Sequence, residues 1–154
     1  LIEFRRSSPR TRPLANLQAA IGRKQLRRID AFNAGARENA KVLSDGLEGV
    51  GGVTVPPGDG EHIYVYYPIA VDAEKRDDLR HYLLRHGIDT KTTDMADCAV
   101  LEPFREATEK REGRVSPTEA ALLEICVYPV IPERKMKHIA KVIRAWAGLP
   151  ELKS

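Results

Sequence analysis

The sequence has little cysteine: Cys98 and Cys126 are the two in 154 residues, and they form no CxxC pair. Two isolated cysteines fit a reduced, cytosolic protein better than a disulfide scaffold. Long apolar runs are also missing. None approaches the roughly 20 residues that a membrane helix needs, and no secretory signal peptide is visible, so no membrane partner is expected. Charge of one sign does not dominate, and the net charge is only +3. That is too slight to imply nucleic acid without a basic patch or a motif. The sequence has no GxGxxG, no GxxxxGK[ST] and no HExxH, and the "GDG" at 58–60 reads as a turn rather than a phosphate loop. The chain opens with Leu1 in place of Met, as expected of a fragment or a processed product.

What is present suits one domain with one sizeable core. Apolar residues make up 42% and charged residues 31%, the balance of a soluble globular chain. Residues 1–13, "LIEFRRSSPRTRP", are basic and without periodicity, which predicts an extended lead-in segment or linker. Residues 14–148 carry the periodic patterns of the domain, and 149–154 form a tail.

Leu14, Leu17, Ile21, Ile29, Phe32, Ala36, Ala40, Leu43 and Leu47 recur at steps of three, four or eight. The pattern predicts one helical stripe about 30 residues long, ended by "GVGG" at 49–52. At 100° per residue, Arg23 and Arg27 fall opposite the stripe, Lys24 flanks it and Arg28 reaches its edge. The basic cluster is therefore mostly a solvated outer face. "VTVPPGDG" predicts a short strand and a turn. In "HIYVYYPIAV", 62–71, residues Ile63, Val65, Tyr67, Ile69 and Val71 share one face of a strand. Pro68 cannot donate to a ladder, so the strand is expected at an edge or with a bulge.

Asp72 caps a helix expected over 73–86, with Leu79, Leu83 and Tyr82 facing inward and Gly87 ending it. "IDTKTT" reads as a short strand. Ser116, Pro117 and Glu119 have the pattern of a helix start. "EICVYP" reads as a buried strand. Pro132 begins a last helix with the stripe Met136, Ile139, Ala140, Ile143 and Trp146 or Ala147, and Gly148 and Pro150 end it. The order predicts an α+β fold: a long N-terminal helix and a small, mainly antiparallel sheet covered by helices.

Chemistry-bearing residues are sparse. His81 and His86 on one helix and His138 in a lysine-rich turn read as surface histidines. His62 either points into a cleft or simply begins the strand. "TTDMADC", 92–98, gathers Asp94, Asp97 and Cys98, but no convergent third ligand stands nearby. Asp94 is better explained as a helix cap, and no metal site is expected. Tyr64, Tyr66 and Tyr67 read as core and edge packing. The aromatics and the arginine cluster occupy different elements, against the pattern of a single-stranded nucleic-acid reader.

Taken together, the pieces resemble a known family. "NLQAAIGRKQLRRIDAFNAGARENAKVL" resembles the helix that follows the catalytic domain in DegT/DnrJ/StrS-type sugar aminotransferases, whose motif is close to "LQAAIGLAQL.RLD.F...R...A..L". "HIYVYYPIAV", "RDDLRHYLLRHGIDT" and "LEICVYPVIPERKMKHIAKVIRAW" resemble, in order, the family's "H.Y..Y.I", "RD.L...L...GI.T" and "...LPVYP.L.E..M..I...IR". The match runs from about Asn16 to Trp146, and its strength lies in the combination.

The resemblance implies the small C-terminal domain of a pyridoxal-phosphate enzyme, fold-type I. Such a domain packs on a large cofactor domain, helps form a homodimer and walls one side of a sugar-nucleotide pocket. It implies His62, Lys91 and Thr92 as substrate-side residues, by motif position. The family's Schiff-base lysine and the acid that pairs with the pyridine nitrogen lie upstream, and neither motif occurs here. None of the nine lysines has the serine-rich context of that residue. The family's "GYNYRM" aligns with "PRTRPL", with Thr11 at the position of the phosphate-reaching Asn and with Arg12 or Arg10 left to meet a cofactor phosphate. "YPPLH" is replaced by "TTDMADCAVLEPF", which implies another pocket wall. The resemblance thus implies no catalytic residue and no cofactor held by this chain alone. The alternative is a freestanding remnant that serves as a binding or oligomerisation module.

Overall fold

The computed structural model describes residues 15–58, 62–92 and 119–149. The chain divides into two compact units, Leu1–Ala31 and Phe32–Ser154.

The stretch expected as one helix of about 30 residues is two: α1, Asn16–Leu26, and α2, Ile29–Leu47. They are interrupted at Arg27–Arg28, where the Arg28 N–H bonds to the Gln25 carbonyl at 2.9 Å, a three-residue closure that tightens the last turn. No glycine or proline marks the interruption, so the periodicity passes over it. At the start of α1 the Ala15 N–H donates to Gln18 Oε1 at 3.1 Å. None of its residues is buried, and Leu17, Ile21 and Leu26 are exposed.

In the second unit α2 buries Ala36, Asn39, Ala40, Leu43, Gly46 and Leu47, the three-and-four spacing of an amphipathic helix. Gly49, at φ 71°, takes the left-handed conformation that ends it. The last turn of α2 is further satisfied from across the fold. Arg144 donates to the Gly46 and Glu48 carbonyls at 3.4 and 3.2 Å, a cation placed where a helix C-terminus carries partial negative charge.

The sheet has three strands in the order β1 (Val53–Thr54), β2 (Tyr67–Val71) and β3 (Leu122–Ile125), all antiparallel. Tyr67, Ile69, Val71, Leu123 and Ile125 are buried on one face. The alternation expected from residue 62 holds only from Tyr67 onward. Ile63 and Val65 are exposed, because Tyr64 at φ 42° breaks the extended backbone before β2 begins.

Pro68 corrects the expectation of an edge strand, since β2 is the middle one. Pro68 pairs with Glu124, whose N–H and carbonyl turn instead to Lys91, at 2.7 and 3.0 Å. Pro68 therefore sits at a non-hydrogen-bonded position towards β3. Its nitrogen faces the other side, where the pairing of β1 stops at Ala70. "IDTKTT" is reduced to that single bridge, Lys91 to Glu124.

Helix α3, Ala73–Arg85, buries Leu79 and Leu83, and Gly87 at φ 73° ends it as expected. Asp72 holds the N-cap position but makes no side-chain cap; its carboxylate lies 3.2 Å from the Lys75 ammonium. In place of the helix expected from Ser116, Glu119–Ala121 make one 3-10 turn that leads directly into β3. Ser116 and Pro117 lie outside the described residues. β3 itself starts earlier than "EICVYP" suggested, and Cys126 stands beyond it, exposed, as a free thiol.

Helix α4, Glu133–Trp146, follows Pro132 and buries Met136, Ile139, Ala140, Val142 and Ile143. Trp146 is half-buried, and its indole N–H donates to Asp78 of α3 at 2.7 Å. The core joins α2, α3 and α4 to one face of the sheet through Leu43, Leu47, Ile69, Leu79, Leu123 and Ile143. Each such side chain contributes about 1.5–3 kcal/mol on burial. Among the described residues the architecture is α+β: four helices and a three-stranded antiparallel sheet.

Candidate functional site

His62 lies five residues ahead of β2, exposed, outside any strand. Its Nδ1 accepts the Tyr64 N–H at 2.9 Å, and its ring lies 4.5 Å from that of Tyr64. Tyr64 is half-buried against the core, 5.8 Å from the Tyr67 ring. Tyr67 is fully buried, and its hydroxyl meets Ser44 Oγ of α2 at 2.7 Å. Burial pushes the Tyr67 phenol above its ordinary pKa, against the opposing effect of the Ser44 hydroxyl. The three tyrosines thus divide as core, part-core and edge.

Tyr66 is the edge member. The Lys91 ammonium stands 5.1 Å from its ring centroid, within cation–π range. The register sets Pro68, Glu124 and Lys91 abreast on the sheet face opposite the buried one. Thr92 follows, half-buried. The substrate-side residues expected from the sequence therefore lean on different tyrosines: His62 on Tyr64, Lys91 on Tyr66. Arg12, Arg10, Thr11, Asp94, Asp97 and Cys98 lie outside the described residues.

A groove of about 500 Å³ runs between α2 and the 129–133 turn, lined among others by Glu38, Asn39, Asp45, Ile131 and Glu133. Two of its carboxylates are engaged, Asp45 with Lys41 at 2.6 Å and Glu133 with Lys137 at 2.8 Å. Its floor is held by Asn39. That carboxamide donates to the Ile131 and Tyr128 carbonyls at 3.0 and 3.2 Å, with Val127 at 3.4 Å. The sequence reading passed over Asn39. Its one signal was a carboxamide between Ala36 and Ala40, on the buried stripe.

The remaining candidates stay separate. His81 and His138 are exposed on their helices, and the His86 ring packs on Tyr82 at 4.4 Å with Nδ1 2.8 Å from the Tyr82 carbonyl. Among the described residues, no group of three or more His, Cys, Asp or Glu is placed to hold a metal ion. No helix of the described residues is long and apolar enough to cross a membrane. Of the described lysines none is buried. Lys24, Lys41, Lys75, Lys135, Lys137 and Lys141 are exposed on helices, and Lys91 is half-buried on the sheet.

Residues 11–147 match the DegT/DnrJ/EryC1/StrS aminotransferase family. The chain is 28% identical over 137 residues to dTDP-3-amino-3,4,6-trideoxy-alpha-D-glucose transaminase of Streptomyces venezuelae, covering 87% of this chain and 36% of that protein. It is 29% identical over 132 residues to a pleiotropic regulatory protein of Geobacillus stearothermophilus, covering 84% of this chain and 35% of that one. In three dimensions it is similar to the aminotransferase TlmJ from Streptoalloteichus hindustanus, with a TM-score of 0.66 and 25% identity, over 83% of this chain and 35% of that one. The chain thus spans about a third of the length of the relatives it matches.

Proposed function

Because the chain belongs to the DegT/DnrJ/EryC1/StrS aminotransferase family, we propose that it is the small C-terminal domain of a pyridoxal-phosphate-dependent aminotransferase acting on a keto-sugar nucleotide. One observation carries the reading: the family pattern fills residues 11–147, yet these amount to about a third of each relative. The family is pyridoxal-phosphate-dependent. In the reading, the cofactor and the lysine that holds it belong to the large domain. This domain contributes a pocket wall and dimer surface.

The nucleotide-sugar class follows from the dTDP-sugar transaminase of S. venezuelae. Three features of this chain fit the role. Lys91, held by its bridge to Glu124, offers a cation on the sheet face opposite the core. His62, exposed, and Thr92, half-buried, offer polar side chains. The exposed Leu17, Ile21 and Leu26 of α1 offer apolar surface for a partner domain or second subunit. The substrate-side roles are thus His62, Lys91 and Thr92, with Arg12 as the candidate towards a cofactor phosphate.

A chimera tests the reading. This chain replaces the matching third of the S. venezuelae transaminase, and sugar-nucleotide transamination is assayed. Retained turnover supports it; a folded, cofactor-loaded chimera without turnover overturns it. A wavelength scan of the purified chain with pyridoxal phosphate is the cheaper companion. An aldimine band from this chain alone contradicts the assignment of the lysine to another domain.

A further inference from the structure

Among the described residues Tyr64 is the one non-glycine residue with positive φ, at 42°. A bulky side chain in that region is uncommon, and such outliers persist where surrounding contacts over-determine them. Here the contacts are visible. The ring is gripped between His62 and Tyr67, at 4.5 and 5.8 Å, and Tyr67 is itself fixed to Ser44. The consequence of the unusual backbone is the direction of one N–H. The Tyr64 amide turns back on His62 and donates to Nδ1 at 2.9 Å.

A neutral imidazole has one donor and one acceptor nitrogen. With Nδ1 accepting, the proton sits on Nε2. His62 is exposed, so this Nε2–H is open to a bound molecule. We propose that Tyr64 is a positioning residue that locks His62 in the Nε2–H tautomer, so that His62 serves as an oriented hydrogen-bond donor to an acceptor oxygen of the ligand. The identity of that ligand as a nucleotide sugar rests on the function proposed above; the locking itself does not. The Lys91 cation leans on a different tyrosine, Tyr66. The carrying juxtaposition is the left-handed Tyr64 backbone with the acceptor nitrogen of His62 two residues before it.

Nitrogen-15 NMR of the imidazoles in the 154-residue chain tests the lock directly. Above the histidine titration range, His62 is expected to show the pattern of one tautomer, with Nε2 protonated and Nδ1 bare. His81 and His138, exposed on helices, serve as internal references for tautomer exchange. Tyr64→Gly keeps the amide and suits the positive φ, so the single-tautomer pattern persists; Tyr64→Pro removes the donor, so His62 reverts to the averaged pattern. Tyr64→Phe, which retains ring and amide, keeps the lock and controls for folding. An averaged His62 pattern in the unsubstituted chain, or a pattern unchanged by Tyr64→Pro, overturns the proposal.

The donor role is tested by titrating thymidine diphosphate. Its oxygens are expected to shift the His62 Nε2 resonance in the unsubstituted chain, and several-fold less in Tyr64→Pro. No shift in the unsubstituted chain overturns the donor role. These readouts are independent of turnover, so they separate from a failed chimera, which concerns the enzyme assignment.

Discussion

The Asn39 carboxamide donates to the Ile131 carbonyl at 3.0 Å, joining the middle of α2 to the turn before α4 across 92 residues of sequence. Around it, the Phe32 and Tyr128 rings stack at 6.0 Å, and Gly35 lies against Pro129. Residues 32, 35 and 39 fall on one face of the helix, so successive turns of α2 grip successive residues of the 127–131 turn.

Removal of the carboxamide leaves the Tyr128 and Ile131 carbonyls without this donor in a partly buried setting. Asn39→Ala is expected to cost about 1–3 kcal/mol. Urea unfolding followed by circular dichroism should show a lower midpoint at unchanged slope. An unaltered midpoint would remove Asn39 from the account of how the turn is held.

Gly35 has no freedom to grow. A methyl built on it would stand 2.7 Å from the Pro129 Cβ, and proline has no rotamer by which to yield. Gly35→Ala is therefore expected to destabilise by about 1–3 kcal/mol through overpacking, despite alanine's advantage of about 1 kcal/mol within a helix. Gly22, in α1, has nothing within 4 Å, so Gly22→Ala should raise helix content or leave it unchanged. Thermal melts decide the matter: Gly35→Ala should lower the midpoint, and Gly22→Ala should not. Pro129→Gly should relieve the Gly35→Ala variant in a double-mutant cycle.

Tyr67 makes stability depend on alkaline pH. Its folded pKa is raised, chiefly by burial, above the ordinary value of 10.0. The unfolded chain loses this proton first, so the contribution is whole below about pH 10 and is lost as pH rises through the folded value. Tyr67→Phe should flatten that alkaline loss. At neutral pH it should cost about 0.5–1.5 kcal/mol for the bond to Ser44. Melts across pH 8–11 in about one-unit steps check both effects; an identical alkaline slope in the variant would count against the assignment.

In the transaminase chimera, Lys91→Met should raise KM for the sugar nucleotide with little change in kcat. On the proposed role, the lost charge is one that would bind ground and transition states alike. Tyr66→Ala, which removes the ring beside that ammonium, should follow in the same direction and more weakly. A fall in kcat at constant KM would place Lys91 elsewhere in the reaction.

The amino-acid pattern alone determined the buried faces of α2, α3 and α4 and the alternation of β2 from Tyr67 onward. The stripes of α2 and α4, the inward Leu79 and Leu83 and the stops at Gly49, Gly87 and Gly148 follow from periodicity and glycine chemistry, which are local properties. The family resemblance likewise rested on motifs in fixed order, read without coordinates. Tertiary structure decided what depends on partners remote in sequence. The place of Pro68 inside a central strand depends on where β1 stops. The pairing of Lys91 with Glu124 and the hold of Asn39 on the 127–131 turn close loops of 33 and about 90 residues. Hydrophobic spacing records which face a residue turns inward; it does not record which distant backbone will meet it there.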